Sequence, residues 1–494
     1  MSKLDVIVFI AYLAGIVLFG SSFYRRNKSA EAYTMGNQRI PTWVVSLSIF
    51  ATFVSSISYL ALPGQAYLTN WNAFVFSLSI PFASYMAVRF FVPLYRSINS
   101  PSAYTYLEMR FGKWAKTYVS VMYLLTQLMR AGTILFLLAL MVHTLLAWNM
   151  TTIIIVTGFS VMLYSLLGGI QAVVWTDAIQ AIILILGAVF CIGTLLFEMP
   201  GGVGHVFTIA AASDKFSLGS FRLELSSSTF WVVLIYGIFI NLQNYGIDQN
   251  YIQRYMTSGS KREAQKSALV GGLLYVPVSA MFLFIGTALF AFYKQNAGLL
   301  PEGTPADKVF PWFIANQLPV GLTGFLIASV FAAGMSTIST SINSSATVIL
   351  TDFFKQPTES QRKNGSMQIL YLASFIFSVL SIGVALAMIN VQSALDAWWK
   401  LASIFSGGML GLFLLGYLSN KVTNKAAVWG VVAGVLVIGW MSLSPIWFPL
   451  WGLDAYASPF HSYLSIVFGT VTIFIVGFLL GHTLNSAVKI RKAD

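Results

Sequence analysis

About thirteen apolar stretches separated by short polar loops run through this chain, and no other feature restricts its fold as severely. They cover 4–24, 41–62, 71–95, 116–147, 152–170, 172–197, 230–254, 264–293, 308–354, 367–390, 394–419, 426–448 and 460–482. A helix rises 1.5 Å per residue, so roughly 20 apolar residues cross the hydrocarbon of a bilayer. In lipid every backbone N–H and C=O needs an internal partner, which a helix supplies by itself. The stretch 308–354 is too long for one straight crossing and is expected to begin with a separate surface helix or loop.

Composition excludes the alternatives. Of 494 residues 57% are hydrophobic and 9% charged, against about 25% charged in a soluble globular chain. A water-soluble core this large needs more polar cover than that. The net charge of +12 suggests nucleic acid only until its placement is considered. The cations sit in short loops between apolar stretches, where they determine topology instead. Cys191 is alone in an apolar run, so no disulfide framework or CxxC metal site is expected. His143, His205, His461 and His482 lack metal-ligand spacing, and no nucleophile stands with a base, so an enzyme is not expected. The first stretch carries Arg25, Arg26 and Lys28 behind it, the reverse of a signal peptide, and reads as a retained helix.

Loop charge tests the span count. With the N-terminus outside, the inner loops hold Arg25, Arg26, Lys28 and Arg39, then Arg96, Arg110, Lys113 and Lys116, then Arg254, Lys261, Arg262 and Lys266. They continue with Lys355, Arg362, Lys363, Lys421, Lys425, Lys489, Arg491 and Lys492. The outer side keeps Lys3, Lys215, Arg222, Lys294 and Lys308. Roughly twenty cations against about five is a strong positive-inside bias, and it predicts thirteen spans with the C-terminus inside. Residues 1–494 read as a single all-α membrane domain.

Polar residues at membrane depth locate the chemistry. The second stretch contains Ser55, Ser56 and Ser58, and the seventh runs through Asn241, Gln243, Asn244, Gly246, Asp248 and Gln249. Such runs read as broken helices lining a cavity, and a break at matched positions of two five-helix halves marks a transporter site. The alternative is an unbroken helix whose serines bond back to carbonyls. The ninth stretch places Ala333, Ser336, Thr337 and Thr340 on one face. Those hydroxyls and carbonyls are hard-oxygen ligands for a small cation, or else small residues for close helix packing. Arg130 and Asp177 lie well inside spans, where a central charge costs at least about 2.5 kcal/mol and usually faces a cavity or a partner. Arg130 matches a carboxylate and reads as the anchor of an acidic solute, or as a structural partner of Asp177. Asp177 reads alternatively as a cation ligand beside Ser339 and Thr340. Arg89, Asp248, Asp396 and Lys400 lie nearer span ends, where snorkelling accounts for them.

Four segments carry a resemblance: Tyr164 to Gln180 with its Gly168-Gly169 pair and Trp175-Thr176-Asp177, Asp248 to Arg254, Tyr104 to Gly112, and Ala333 to Thr340. They are similar to the sodium/solute symporters that include the sodium-glucose, proline and pantothenate carriers. The resemblance implies a LeuT-type core of inverted repeats over 41–197 and 230–419, with one extra helix at 4–24 and two at 426–482. It implies a sodium site from the carbonyls of Ala51, Val54 and Ala333 with the hydroxyls of Ser336 and Thr337. A second site, present in some members, would take Ser336, Ser339, Thr340 and Asp177. The run Gln127 to Thr133 most resembles the bacterial sialic acid symporters, where an arginine meets the sugar carboxylate. By that likeness Ser55, Ser58, Phe74, Ser77, Asn241 and Asn244 line the solute site, although the pattern has a glutamine near Phe74–Ser77 and this chain has none.

The expectation is a sodium-coupled symporter, monomeric in a bacterial inner membrane, importing N-acetylneuraminate or a similar carboxylated solute with one or two Na+. Proline or pantothenate is the alternative cargo. A channel needs rings of like residues along a pore, and a sensor usually an attached signalling domain; neither pattern is present in the sequence.

Overall fold

The computed structural model describes residues 2–354, 362–390 and 408–490. Among the described residues the regular structure is helical, with one isolated bridge between Ile40 and Ser258. Ten helices of the described residues are long and apolar enough to cross a membrane, or eleven when the bent pair Thr42–Phe53 and Ser58–Leu68 is one span.

Helix α1 (Lys3–Ser21) starts at Ser2, whose hydroxyl accepts the Asp5 N–H while Asp5 returns a bond to the Ser2 backbone. That reciprocal cap satisfies two otherwise orphaned donors. Helices α2 (Thr42–Phe53) and α3 (Ser56–Leu68) are the halves of the second span, bent by 53° with Val54 and Ser55 extended between them. The Ser55 hydroxyl accepts the Ser58 N–H at 3.4 Å, so the serine expected to interrupt the helix also starts its second half. Helix α4 (Trp71–Ile98) and α5 (Lys113–Leu146) follow.

Helix α6 (Met150–Phe197) has 48 residues, which at 1.5 Å each would run roughly 70 Å, over twice the hydrocarbon thickness. It is divided at Gly169, where φ is 54° and ψ is −155°. A Cβ there would stand 2.7 Å from the Asn27 side-chain nitrogen, so both the backbone and the space require glycine. The stretches 152–170 and 172–197 are the two sides of this break.

Helices α7 (Phe230–Ile247) and α8 (Gln249–Thr257) are parted only at Asp248, whose carboxylate caps α8 through the Asn250 N–H at 2.8 Å. The interruption is therefore one residue, and Asn241 and Asn244 belong to continuous helix. The chain continues through α9 (Lys261–Gln295), α10 (Ala306–Asn316), α11 (Leu322–Val348), α12 (Arg362–Ala387), α13 (Asn424–Trp447) and α14 (Ser465–Ile490). The long stretch 308–354 thus resolves into α10 and α11. Most of the expected span 394–419, with Asp396 and Lys400, lies outside the described residues, as do Lys355, Arg491 and Lys492; 408–418 is helical.

Helix α11 is the most enclosed of the membrane-length helices among the described residues. Its apolar window is 94% buried, against 22% for α1, so α11 is enclosed by protein while α1 lies at the periphery. Small side chains permit that enclosure by letting backbones approach, and α11 packs on α1, α5 and α6. The same device joins α9 to α3: a Cβ on Gly286 would come within 2.0 Å of the Pro63 carbonyl oxygen. The least expected element is α8, a hydrophilic helix all of whose residues are buried.

Candidate functional site

The break between α2 and α3 is the point of convergence. Ser336 on α11 places its Oγ 3.4 Å from the Ala51 carbonyl and 3.4 Å from that of Ala333. Thr337 donates to the Ala333 carbonyl at 3.1 Å. One residue beyond Ala51, the Thr52 carbonyl accepts Arg130 Nη2 from α5 at 3.4 Å. A single turn of α2 therefore meets the hydroxyl face of α11 on one side and the guanidinium on the other. Ala51, Val54, Ala333, Ser336 and Thr337 are all buried, whereas Arg130 is half-buried. Next to the break Phe53 packs against Tyr245, Tyr251 and Tyr275 at ring separations of 5.5, 4.9 and 5.4 Å. Ser58 lies beside the Tyr275 hydroxyl.

Asp177 has a partner, and it is not Arg130. Its Oδ2 accepts Arg254 Nη2 at 2.6 Å and Ser48 Oγ at 2.6 Å. The same guanidinium donates to Ser48 Oγ through Nε at 2.7 Å, to Thr340 Oγ1 through Nη2 at 2.7 Å, and to the Asn250 carbonyl. Arg254, counted in the sequence as a loop cation, is instead fully buried. Removing an arginine from water is tolerable only when its donors are satisfied, and the α8 backbone plus Ser48, Asp177 and Thr340 do this. Lys116 departs from the loop reading in the same way, bridging Glu108 at 2.8 Å and Asp352 at 3.3 Å. Asp248 does not snorkel either; it is buried at the α7–α8 break, with Arg130 and Arg254 the cations that bear on it.

Arg254 belongs to a polar seam along α8. Gln249 bonds the Pro101 carbonyl at 2.6 Å and the Ala103 N–H at 2.7 Å. Asn250 accepts the Tyr123 hydroxyl at 2.8 Å, and that oxygen also meets Ser344 of α11 at 2.8 Å. Gln253 donates to the Thr34 carbonyl, Asn343 and Thr347 at 2.8, 3.0 and 2.9 Å. The composition of Asp248 to Arg254 signalled this seam, but periodicity could not say that its polar face turns inward.

The remaining expected residues are less convergent. Asn241 donates to Ser79 of α4 at 2.9 Å and Asn244 reaches Asn241 at 3.5 Å. Phe74 packs on Trp71 at 5.7 Å, and Ser77 is buried on the same helix. Among the described residues no hydrogen bond or ring contact joins Phe74 or Ser77 to Arg130. Ser339 donates to the Ser336 carbonyl at 3.1 Å, the local bond expected of a hydroxyl in a packed helix.

A many-spanning helical protein with two broken helices, buried hydroxyls at one break and a half-free guanidinium beside them has the build of a secondary transporter. The sequence model of the sodium:solute symporter family matches residues 33–434, and the chain belongs to that family. Its members are transporters that use Na+ as coupling ion, not enzymes. The sodium/sialic acid symporter of Aliivibrio fischeri is 32% identical, aligned over 99% of this chain and 95% of its own length. The sodium/sialic acid symporter of Proteus mirabilis is 31% identical over 87% and 88%. A sodium-coupled sialic acid symporter solved in a substrate-bound, outward-open state superposes with a TM-score of 0.90 at 28% identity, covering 98% of both chains. A nucleobase-cation-symport-1 transporter in a closed conformation shares the fold alone, with a TM-score of 0.58 at 13% identity over 91% and 93%. The architecture is thus a LeuT-like transporter fold.

Proposed function

We propose that this chain imports sialic acid, or a closely similar carboxylated solute, together with sodium by alternating access. The observation that carries the proposal is Arg130, which among the described residues makes one long hydrogen bond, to Thr52, and leaves its other donors for a ligand, beside the Ala51–Ser336 contact. A guanidinium at membrane depth with unused donors suits a carboxylate bound in two-pronged fashion. Relatives named for sialic acid, and others at 25–27% identity named for monocarboxylates, agree on that chemical class.

The first sodium would lie among the carbonyls of Ala51, Val54 and Ala333 and the hydroxyls of Ser336 and Thr337. It would bridge the α2–α3 break to α11, so it favours whichever state brings them together; coupling is this difference in affinity between states. A second sodium would use Ser336, Ser339, Thr340 and Asp177. Ser55, Ser58, Phe74, Ser77, Asn241 and Asn244 complete the solute site in this reading. Each inward charge gains about 2.3 kcal/mol per 100 mV. An anion with two sodium ions therefore moves net positive charge, and with one it is electrically silent.

The reading further takes the chain as thirteen spans in a bacterial inner membrane, N-terminus out and C-terminus in, working as a monomer. The inverted repeats are 41–197 and 230–419, flanked by 4–24 and 426–482. Uptake of labelled sialic acid and of proline into proteoliposomes, with and without a sodium gradient, tests it. Sodium-driven flux of proline alone transfers the reading to an amino-acid cargo, and no sodium-driven flux of either refutes it.

A further inference from the structure

Two cations have a claim on one carboxylate. We infer that Arg254 is a tethered competitor of sodium at Asp177, so that filling the second sodium site and holding α8 in place are antagonistic. The inference rests on the proposed role of Asp177 as a sodium ligand and adds a positioning residue that sets the affinity of that site.

The two oxygens of Asp177 are in different circumstances. Oδ2 is taken by Ser48 Oγ and Arg254 Nη2, each at 2.6 Å. Oδ1 is buried and, among the described residues, has no hydrogen-bond partner. An anionic oxygen left without a donor in a low-dielectric interior is costly. It is also the hard acceptor that a dehydrated alkali cation selects. Thr340, the neighbouring proposed ligand, already has its oxygen 2.7 Å from the same Nη2. Sodium entering between Asp177 and Thr340 would meet a positive charge within a few ångströms, and like charges at that range in a partly dry interior repel strongly. Arg254 thus weakens sodium binding, and by reciprocity sodium weakens the grip of Arg254 by the same factor.

That grip holds α8. Arg254 is the charged member of the Gln249, Asn250 and Gln253 seam, and it ties α8 to both α2, through Ser48, and α6, through Asp177. Sodium at Asp177 therefore loosens an ionic fastening of α8, linking ion occupancy to the packing of the second broken span.

Sodium titrations of the full-length protein in detergent and in proteoliposomes test the competition. Arg254→Gln should lower the half-saturating sodium concentration of the second ion at least about tenfold, and make thermal stability more steeply sodium-dependent than in the unmodified protein. An unchanged or weaker sodium response in Arg254→Gln overturns the inference. Asp177→Asn separates the two levels: if the Hill coefficient for sodium does not fall, Asp177 is no ligand and the underlying reading fails whatever Arg254 does. Should Arg254→Gln not fold, the unmodified protein still decides. Backbone hydrogen exchange over residues 249–257 should quicken as sodium replaces choline at constant ionic strength, and exchange that is slowed or unmoved refutes the antagonism.

Discussion

Replacing Arg130 should separate its role from that of Arg254, because the two arginines are held so differently. Arg254 donates to Ser48, Asn250, Asp177 and Thr340 and is fully buried. Arg130 donates to the Thr52 carbonyl at 3.4 Å, near the limit of a hydrogen bond, and is half-buried. Truncating Arg130 therefore removes one long hydrogen bond and one of the two cations that bear on buried Asp248, whose other cation, Arg254, stays in place. If a carboxylate takes two of its N–H groups, each charge-assisted bond is worth about 1.5–3 kcal/mol. Arg130→Ala should then cost at least about 3 kcal/mol of solute binding, roughly a hundredfold in Kd. Arg130→Lys keeps a point charge without the fork and should lose about half of that, roughly tenfold. Calorimetry at saturating sodium, with the melting temperature of each variant beside it, gives both quantities. Equal affinity in all three proteins refutes the anchor, and a large fall in melting temperature for Arg130→Ala assigns the residue to the fold.

Ser336→Ala combined with Thr337→Ala removes two hydroxyl ligands from the proposed first site and should abolish sodium-stimulated uptake; robust sodium-dependent transport contradicts that site. On the polar face outside the spans, Lys215 donates to the carbonyls of Ala66, Tyr67 and Thr69 at 3.3, 2.6 and 2.9 Å and so closes the end of α3. Lys215→Met should speed backbone hydrogen exchange at residues 66–70 by roughly tenfold or more, with Lys215→Arg restoring part of the protection; equal exchange in all three denies the clasp.

Apolar run length located the membrane-length helices among the described residues, because a hydrophobic stretch of membrane-crossing length admits almost no other structure. The break at Ser55 was legible, since a serine between apolar flanks is a poor helix-interior residue and a good cap. The break at Asp248 was legible only to within several residues. Many polar side chains in a row mark a buried face without saying which one opens the helix. The exposed-cation reading failed at Arg254 and Lys116 for a related reason. Counting charges near span ends treats each as solvated, yet Arg254 is held by Asp177, 77 residues away, and Lys116 is shared between nearby Glu108 and Asp352, far along the chain. Such pairing depends on tertiary contact, which one-dimensional periodicity does not carry.

The chemistry of the α8 seam argues for where the moving boundary of this transporter lies. A seam of leucines would resist opening, since exposing apolar surface costs about 25 cal/mol per Å². Gln249, Asn250, Gln253 and Arg254 exchange each protein hydrogen bond for one to water when the seam opens, at a net cost of only about 1 kcal/mol apiece. An interface that is buried, hydrogen-bonded and hydrophilic on both sides is thus stable when shut and inexpensive when wet, which is what a gate requires. By contrast, α9 meets α3 through the close approach of Gly286 to Pro63, and parting them would forfeit packing that water cannot replace. Opening toward the inner loops should therefore part α8 from Tyr123, Asn343 and Thr347 while α3 and α9 move as one body.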